Sequence, residues 1–517
     1  MTPVLRPASG SHPTTRTFRS TRRAPAGEME AGLALPASNA TPPDPALVAL
    51  HRFGLGARPG DDFGKIAADP RGYLKAELKQ QDIALISPDD PRNAGLLDST
   101  AAIQASMAAA MERKAARDEK VAAAMQPMPA DDPAGPAVAK AKPALPRVEA
   151  DIYRDDAQAR LDKALAATPG VVERLVGFWS NHFCVSVAKA PVVRACAGAF
   201  EREAIRPFVL GRFADMLLAV EHHPAMLFYL DNQQSIGPDS RAGKRRGRGL
   251  NENLAREILE LHTLGVGSGY AQADVTSFAA MLTGWTMAGR EGRLGEPGSF
   301  VFNANAHQPG KAALLGKTYP DGGMGQAEAA LNDIARHPAT ARHIATKLAR
   351  HFIADDPPAG AVARLASVFT KTDGDLRSIA LTLVDMPEAW STPLTKLRSP
   401  LDYVVALRRA VGATAGNEPQ RSLRWLSALG EPLWQPPGPN GFADSTDAWA
   451  SAEGLKTRLD IAWQAAKQAN DIGDPDEMLS SLIGASVSDE TRVAISRAES
   501  KQQGLALLLM APEFQRR

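Results

Sequence analysis

Apolar residues recur at three- and four-residue spacing in segment after segment of this 517-residue chain, and the alternation a strand needs is scarce. The helical period runs through residues 66–80, 171–183, 213–220, 250–264, 275–282 and 339–352. It continues through 360–369, 376–384, 401–411, 455–466 and 491–510. Helix punctuation agrees with it. Pro207, Pro224 and Pro338 stand at element starts, and Thr372, Asp373 and Asp375 precede an apolar run. The best strand-like stretch is 299–319, where Phe300, Phe302 and Leu314-Leu315 flank a turn at His307–Gly310, which predicts a small hairpin. The expected fold is predominantly α: one large multi-helix domain with a small β-hairpin excursion. No period of 20–50 residues repeats, so a solenoid is not expected.

Composition matters here mainly for what it excludes. At 44% hydrophobic and 23% charged, the chain has material for a sizeable core. A formal net charge of +1 gives no global pull toward nucleic acid, and no apolar run reaches the length of a membrane span. Two cysteines, Cys184 and Cys196, are too few for a disulfide framework. Residues 1–45 read as a disordered basic tail. Arg6, Arg16, Arg19, Arg22 and Arg23 occur before any acid, without the apolar segment of a secretory signal. The cytoplasm is the compartment expected from this, with the periplasm or envelope as the alternative if the start codon is mis-called. Residues 46–517 read as a single helical domain interrupted at about 98–148. There an alanine-, methionine- and lysine-rich helical arm (101–125) runs into a linker with six prolines (126–146).

The segment 249–275, GLNENLAREILELHTLGVGSGYAQADV, concentrates the chemistry. At 100° per residue, Leu250, Leu254, Ile258 and Leu261 form the buried stripe. Glu252, Arg256 and Glu260 follow at four-residue spacing on the opposite face, the pattern of a solvated ion-pair ladder. Glu257 projects beside the stripe, with Asn253 one turn earlier, and is expected to be half-buried. A carboxylate so placed needs a donor or a metal, or its pKa must rise. Three readings follow: a structural pair with an arginine such as Arg202 or Arg206, a general acid or base, or a metal ligand. The first is the commonest fate of such a group.

His262 sits in the last turn of that helix, His182 lies in FWSNHF beside Asn181, and His307 lies in the expected hairpin. His223 and His337 each precede a proline and read as helix-entry residues, while His343 and His351 read as structure. MLFYLDN (226–232) ends an apolar helix on Asp231 and Asn232. Arg241, Lys244, Arg245, Arg246 and Arg248 make a basic loop whose plainer reading is a solvated one. No HExxH, GxSxG or Walker A sequence is present. GLGARPG (54–60) and GVGSG (265–269) follow no expected strand and read as helix ends with turns rather than nucleotide loops.

HRFGLGARPG, FWSNHF, EAIRPFVLGRFADMLLAVEHHPAMLFYLDN, the 249–275 motif, LTGWT and HPATARHIATKLARHF together resemble the bacterial family called domain of unknown function 1800. The resemblance covers about residue 47 to the C-terminus. It implies no catalytic residues, because the family has no established activity. Genes of that family often neighbour those of a sulfatase-like family, domain of unknown function 1501, which by analogy implies a sulfatase-like partner protein.

Two functional expectations follow. One is an enzyme, hydrolytic in type, with Glu257 as base or ligand and His182, His262 and His307 as acid, ligand or orienting groups. Asn181, Asp231, Asn232, Asn251, Asn253 and Arg256 would position its substrate. No motif names a cofactor, and a divalent metal stays open. The other is a non-catalytic accessory or scaffold protein in which the same groups form a structural lock.

Overall fold

Short polar side chains ahead of prolines set many of the helix boundaries. Asp69 accepts from Gly72 N before Pro70–Leu78, Ser399 from Asp402 N before Pro400–Ala410, and Asp375 from Ser378 N before Leu376–Asp385. His223 and His337 do the same, each accepting from the amide two residues on, ahead of Pro224–Tyr229 and Pro338–Phe352. The computed structural model describes residues 43–125, 147–246, 249–414, 416, 419–469, 473–484 and 487–517. The basic tail up to residue 42, the proline-rich linker 126–146 and Arg248 of the basic loop lie outside them.

The described residues form a predominantly α domain around one extended apolar core that reaches from Ala46 to Phe514. Pro338–Phe352 packs on Ala359–Lys371, Val148–Ala166 on Pro191–Phe200, and Ala452–Gln468 on Lys501–Met510. The helix expected as an exposed arm, Ser99–Ala124, is anchored along its first half. Ala102, Ile103, Ser106 and Ala109 are buried at helical spacing where it lies against Pro191–Phe200, while Met111 and Val121 are exposed. No helix among the described residues is long and apolar enough to cross a membrane.

The strands differ from the expected single hairpin. β1 (Trp285–Met287) pairs antiparallel with β2 (Phe300–Phe302), and β3 (Ala312–Leu314) pairs with β4 (Lys317–Tyr319). Phe300/Phe302 and Leu314 therefore belong to different hairpins, and the 307–310 segment links the two. The reason is local. Leu315 and Gly316 both take positive φ (51° and 78°), the two-residue turn that closes β3 directly onto β4.

Among the described residues three helical segments widen into π turns: Val48–Phe53, Glu201–Ile205 and Ile258–His262. Each carries buried ionisable side chains: His51 and Arg52, Glu201, and His262. Such turns are uncommon and are frequent at functional sites.

Candidate functional site

The helix Val171–His182 is fixed at its start by a distant carboxylate. Glu77 accepts from the amides of Gly170 and Val171 at 3.0 Å and of Val172 at 3.1 Å, filling donors that a helix N-terminus leaves open. At its other end Phe178, Trp179 and Phe183 enclose the His182 ring. His182 Nε2 lies 3.1 Å from the carbonyl oxygen of His262, and Nδ1 lies 2.8 Å from Lys347 Nζ. A carbonyl only accepts and an ammonium only donates, so Nε2 carries the proton and Nδ1 accepts: the imidazole is neutral. Desolvation first, and the Lys347 charge second, hold its pKa well below the ordinary histidine value.

Lys347 comes from Pro338–Phe352, which presents His343, Lys347 and His351 at four-residue intervals toward this helix. Burial brings the Lys347 ammonium down to about 8, with Cys184 and Asp444 opposing the fall only in part. Beside it lies a cavity of about 230 Å³ whose wall includes Asn181, His182, Lys347, His351, Glu431 and Asp444.

Hydrogen bonds and ion pairs brace the rest of the wall. His351 Nδ1 meets Asp444 Oδ2 at 2.8 Å, and Lys396 Nζ meets Asp444 Oδ1 at 3.0 Å. Asp402 Oδ2 lies 2.8 Å from both Arg174 and Arg517. Burial pushes the Asp402 and Asp444 carboxyls up, but the surrounding cations outweigh it and hold both below the usual carboxylate range. Glu431 differs. It accepts from Leu401 N at 2.7 Å, and desolvation raises its carboxyl to about 7. Burial also lowers His351 to about 4 and leaves its Nε2 without a hydrogen-bond partner.

Of the residues singled out from sequence, Asn181 and His182 line this cavity. The Asn181 amide is spent on the backbone of the facing loop, donating to Phe442 O at 2.9 Å and accepting from Phe442 N at 2.8 Å. His262 stands one layer behind, its carbonyl on His182 and its own Nδ1 2.7 Å from Glu221, both side chains buried. Glu257 is half-buried and off the cavity wall. Among the described residues no hydrogen bond or ion pair reaches its carboxylate, and desolvation raises its pKa against the opposing pull of His262. Arg202 pairs with Asp156, and Arg206 with Glu173 and Glu201, so neither serves Glu257.

His307 is not among the cavity residues and sits by the hairpins, with Nδ1 2.9 Å from Thr283 O and its ring against Phe302. Asp231 pairs with Lys189 at 2.6 Å, and Asn232 donates to Leu282 O and Trp285 O, both at 3.2 Å. Asn251 donates to Asp231 O and accepts from the amide of the exposed Asn253. Arg256 joins Glu252, Glu260 and Gln272 in the ladder that the four-residue spacing describes.

Lys347, Glu431 and Asp444 were not singled out from sequence, and His351 was read there as structure. For Lys347 and His351 a signal existed, the repeat of His343, Lys347 and His351 at helical spacing, legible once lysine is counted with the histidines. Among the described residues no three His, Cys, Asp or Glu side chains gather as a group that could hold a metal ion. Both cysteines are buried free thiols.

A family model described as Protein of unknown function (DUF1800) matches residues 48–516. No curated protein and no solved structure matches the chain. Nearly the whole chain, with all of the cavity wall but Arg517, thus falls within that match, and the protein belongs to the DUF1800 family.

Proposed function

We propose that this protein is a hydrolytic enzyme working by acid–base chemistry in the cavity between Val171–His182 and Pro338–Phe352. The observation that carries the reading is that Glu431, Lys347 and a neutral His182 line one cavity, with Glu431 at about 7 and Lys347 at about 8. Perturbed groups that converge in a cavity are the signature of a site built for proton transfer. In this reading Glu431 takes a proton from water, and the water oxygen bonds to the electrophilic centre. As the bond to the leaving group breaks, Glu431 returns the proton to it. The Lys347 ammonium, held by His182, faces the negative charge that develops on the way. His262 and Glu221 orient His182 from behind, and Glu257, half-buried without an ion pair, is kept as a further candidate near them.

The test is hydrolysis of p-nitrophenyl acetate, phosphate, sulfate and β-glucoside by the purified full chain. At least one should turn over, and Glu431→Gln should lower the rate by about 10²-fold or more. The active form, Glu431 ionised and Lys347 protonated, is most populated between about pH 7 and 8. Turnover absent on all four, or unchanged in a folded Glu431→Gln protein, overturns the proposal.

A second reading, an accessory or scaffold protein acting with a sulfatase-like partner, draws on a different observation. Asn181, Asn232 and Asn251 are committed to backbone groups, as in a structural lock. A partner that co-purifies with the chain while Glu431→Gln changes nothing but stability would favour it.

A further inference from the structure

The cations on the cavity wall are not equally employed. Arg160 pairs with Glu201 at 3.0 Å, Arg174 with Asp402, and Arg517 with Asp402 and Asp444. Lys396, next to the wall, pairs with Asp355 and Asp444. Lys347 and Arg350 have no such partner among the described residues. Among the described residues the Lys347 ammonium makes a single hydrogen bond, to His182 Nδ1, and leaves two of its three N–H donors open. Arg350, one turn on and exposed, gives only its Nε–H, to Asp355 O at 3.1 Å, and its terminal nitrogens stay open.

Asp444 acts on Lys347 only through space, and both it and Asp355 beside it are paired elsewhere. Asp444 is held by His351 and Lys396, and Asp355 by Lys396 and Thr446 N. The group nearest to Lys347, His182, offers a neutral lone pair and no charge. A partly buried cation without an ion-pair partner is costly, and the chain tolerates it here beside an open volume. Both side chains lie on the same turn of Pro338–Phe352, so they form a short positive track from the exposed surface to the cavity wall.

We propose that the ligand of this cavity carries a compact oxyanion, a carboxylate, sulfate or phosphate group, which Arg350 meets first and Lys347 holds beside His182. The inference rests on the reading of the cavity as a substrate site and names the chemical class of that substrate. An oxyanion supplies the missing counter-charge and accepts the open Lys347 and Arg350 donors by charge-assisted hydrogen bonds. The volume of about 230 Å³ admits the anionic group with a small remainder rather than a polymer.

The experiment is isothermal titration of the full chain at pH 7 with sodium sulfate, sodium phosphate and sodium acetate, with sodium chloride at matched ionic strength as the blank. At least one oxyanion should bind saturably with one site per chain, and which one binds identifies the class. Lys347→Met should weaken it about tenfold or more, Lys347→Arg should restore most of the loss, and Arg350→Gln should weaken it several-fold. Lys456→Met, at an exposed pair with Asp460, should change nothing.

Arg350 is exposed, so its variant keeps the test open if Lys347→Met does not fold. No saturable binding by any of the three, or binding indifferent to both Lys347 and Arg350, overturns the inference. Turnover of an uncharged ester without oxyanion binding would remove this inference and spare the hydrolytic reading. Oxyanion binding without turnover on any substrate would do the reverse.

Discussion

A buried cation and a partly buried one, 141 residues apart in sequence, are treated in opposite ways. Arg206 has every donor filled. Nε meets Glu201, one terminal nitrogen meets Ala84 O at 2.7 Å and Glu173 at 2.8 Å, and the other meets Glu173 at 3.1 Å and Glu201 at 2.9 Å. Among the described residues Lys347 has one hydrogen-bond partner and no ion pair. The first arrangement joins the Val171–His182 helix to the Glu201–Ile205 turn and has no capacity left for a ligand. The second has capacity and a cavity to use it in. Burial of charge alone therefore does not mark a site, and the unspent donors do.

The sharpest way to break this comparison is Arg206→Met. Removing it strands Glu173 and leaves Glu201 with Arg160, so urea unfolding should show a loss of about 3–5 kcal/mol. A loss below about 1 kcal/mol would show that the saturated cluster is not the lock described.

Acid should then separate the two regions. His182, His343 and His351 are held below the ordinary value of about 6.5, chiefly by desolvation, His343 and His351 at about 4. The unfolded chain binds protons at these positions before the folded one, so the contribution of the three histidines is complete above about pH 6.5 and falls as pH drops toward 4. That loss outweighs the opposite trend of raised carboxyls such as Glu431. At Glu201 desolvation pushes the carboxyl up, and Arg160 and Arg206 outweigh it, leaving it lowered. Its contribution is present above the unfolded carboxyl value and is lost only at lower pH still. Denaturant midpoints measured from pH 8 to 3 should show the histidine loss first. A flat profile down to pH 4.5 would contradict it.

The smallest effect belongs to Lys347→Met. The variant deletes a partly buried cation that lacks an ion-pair partner among the described residues, so the unfolding free energy should change by less than about 1 kcal/mol or rise slightly. A loss comparable with that of Arg206→Met would mean that Lys347 is structural after all.

Much of the fold was legible in local pattern. The three-and-four spacing located the helices, and the prolines and short polar caps marked their starts. Glu252, Arg256 and Glu260 formed the surface ladder their spacing describes. Three of the four strands among the described residues fall in the expected stretch 299–319, and β1 lies before it. The pairing was not legible, because a two-residue turn at Leu315–Gly316 competes with the longer link around His307 and only register shows which one closes. The site was legible in part. His182 was visible as a histidine amid aromatics, and His262 as a helix-end imidazole. Glu431, Asp444 and Arg517 carry no local signal, since each gains its meaning from a partner on a distant segment.

Sequence by itself determined an α-rich build, the helix boundaries and the neighbourhood of His182, because these follow from periodicity and capping between residues a few positions apart. Tertiary structure alone decided which charges are spent and which are open. Whether Lys347 meets a carboxylate or a neutral imidazole depends on side chains from helices over 150 residues away, and that pairing sets both its pKa and its use.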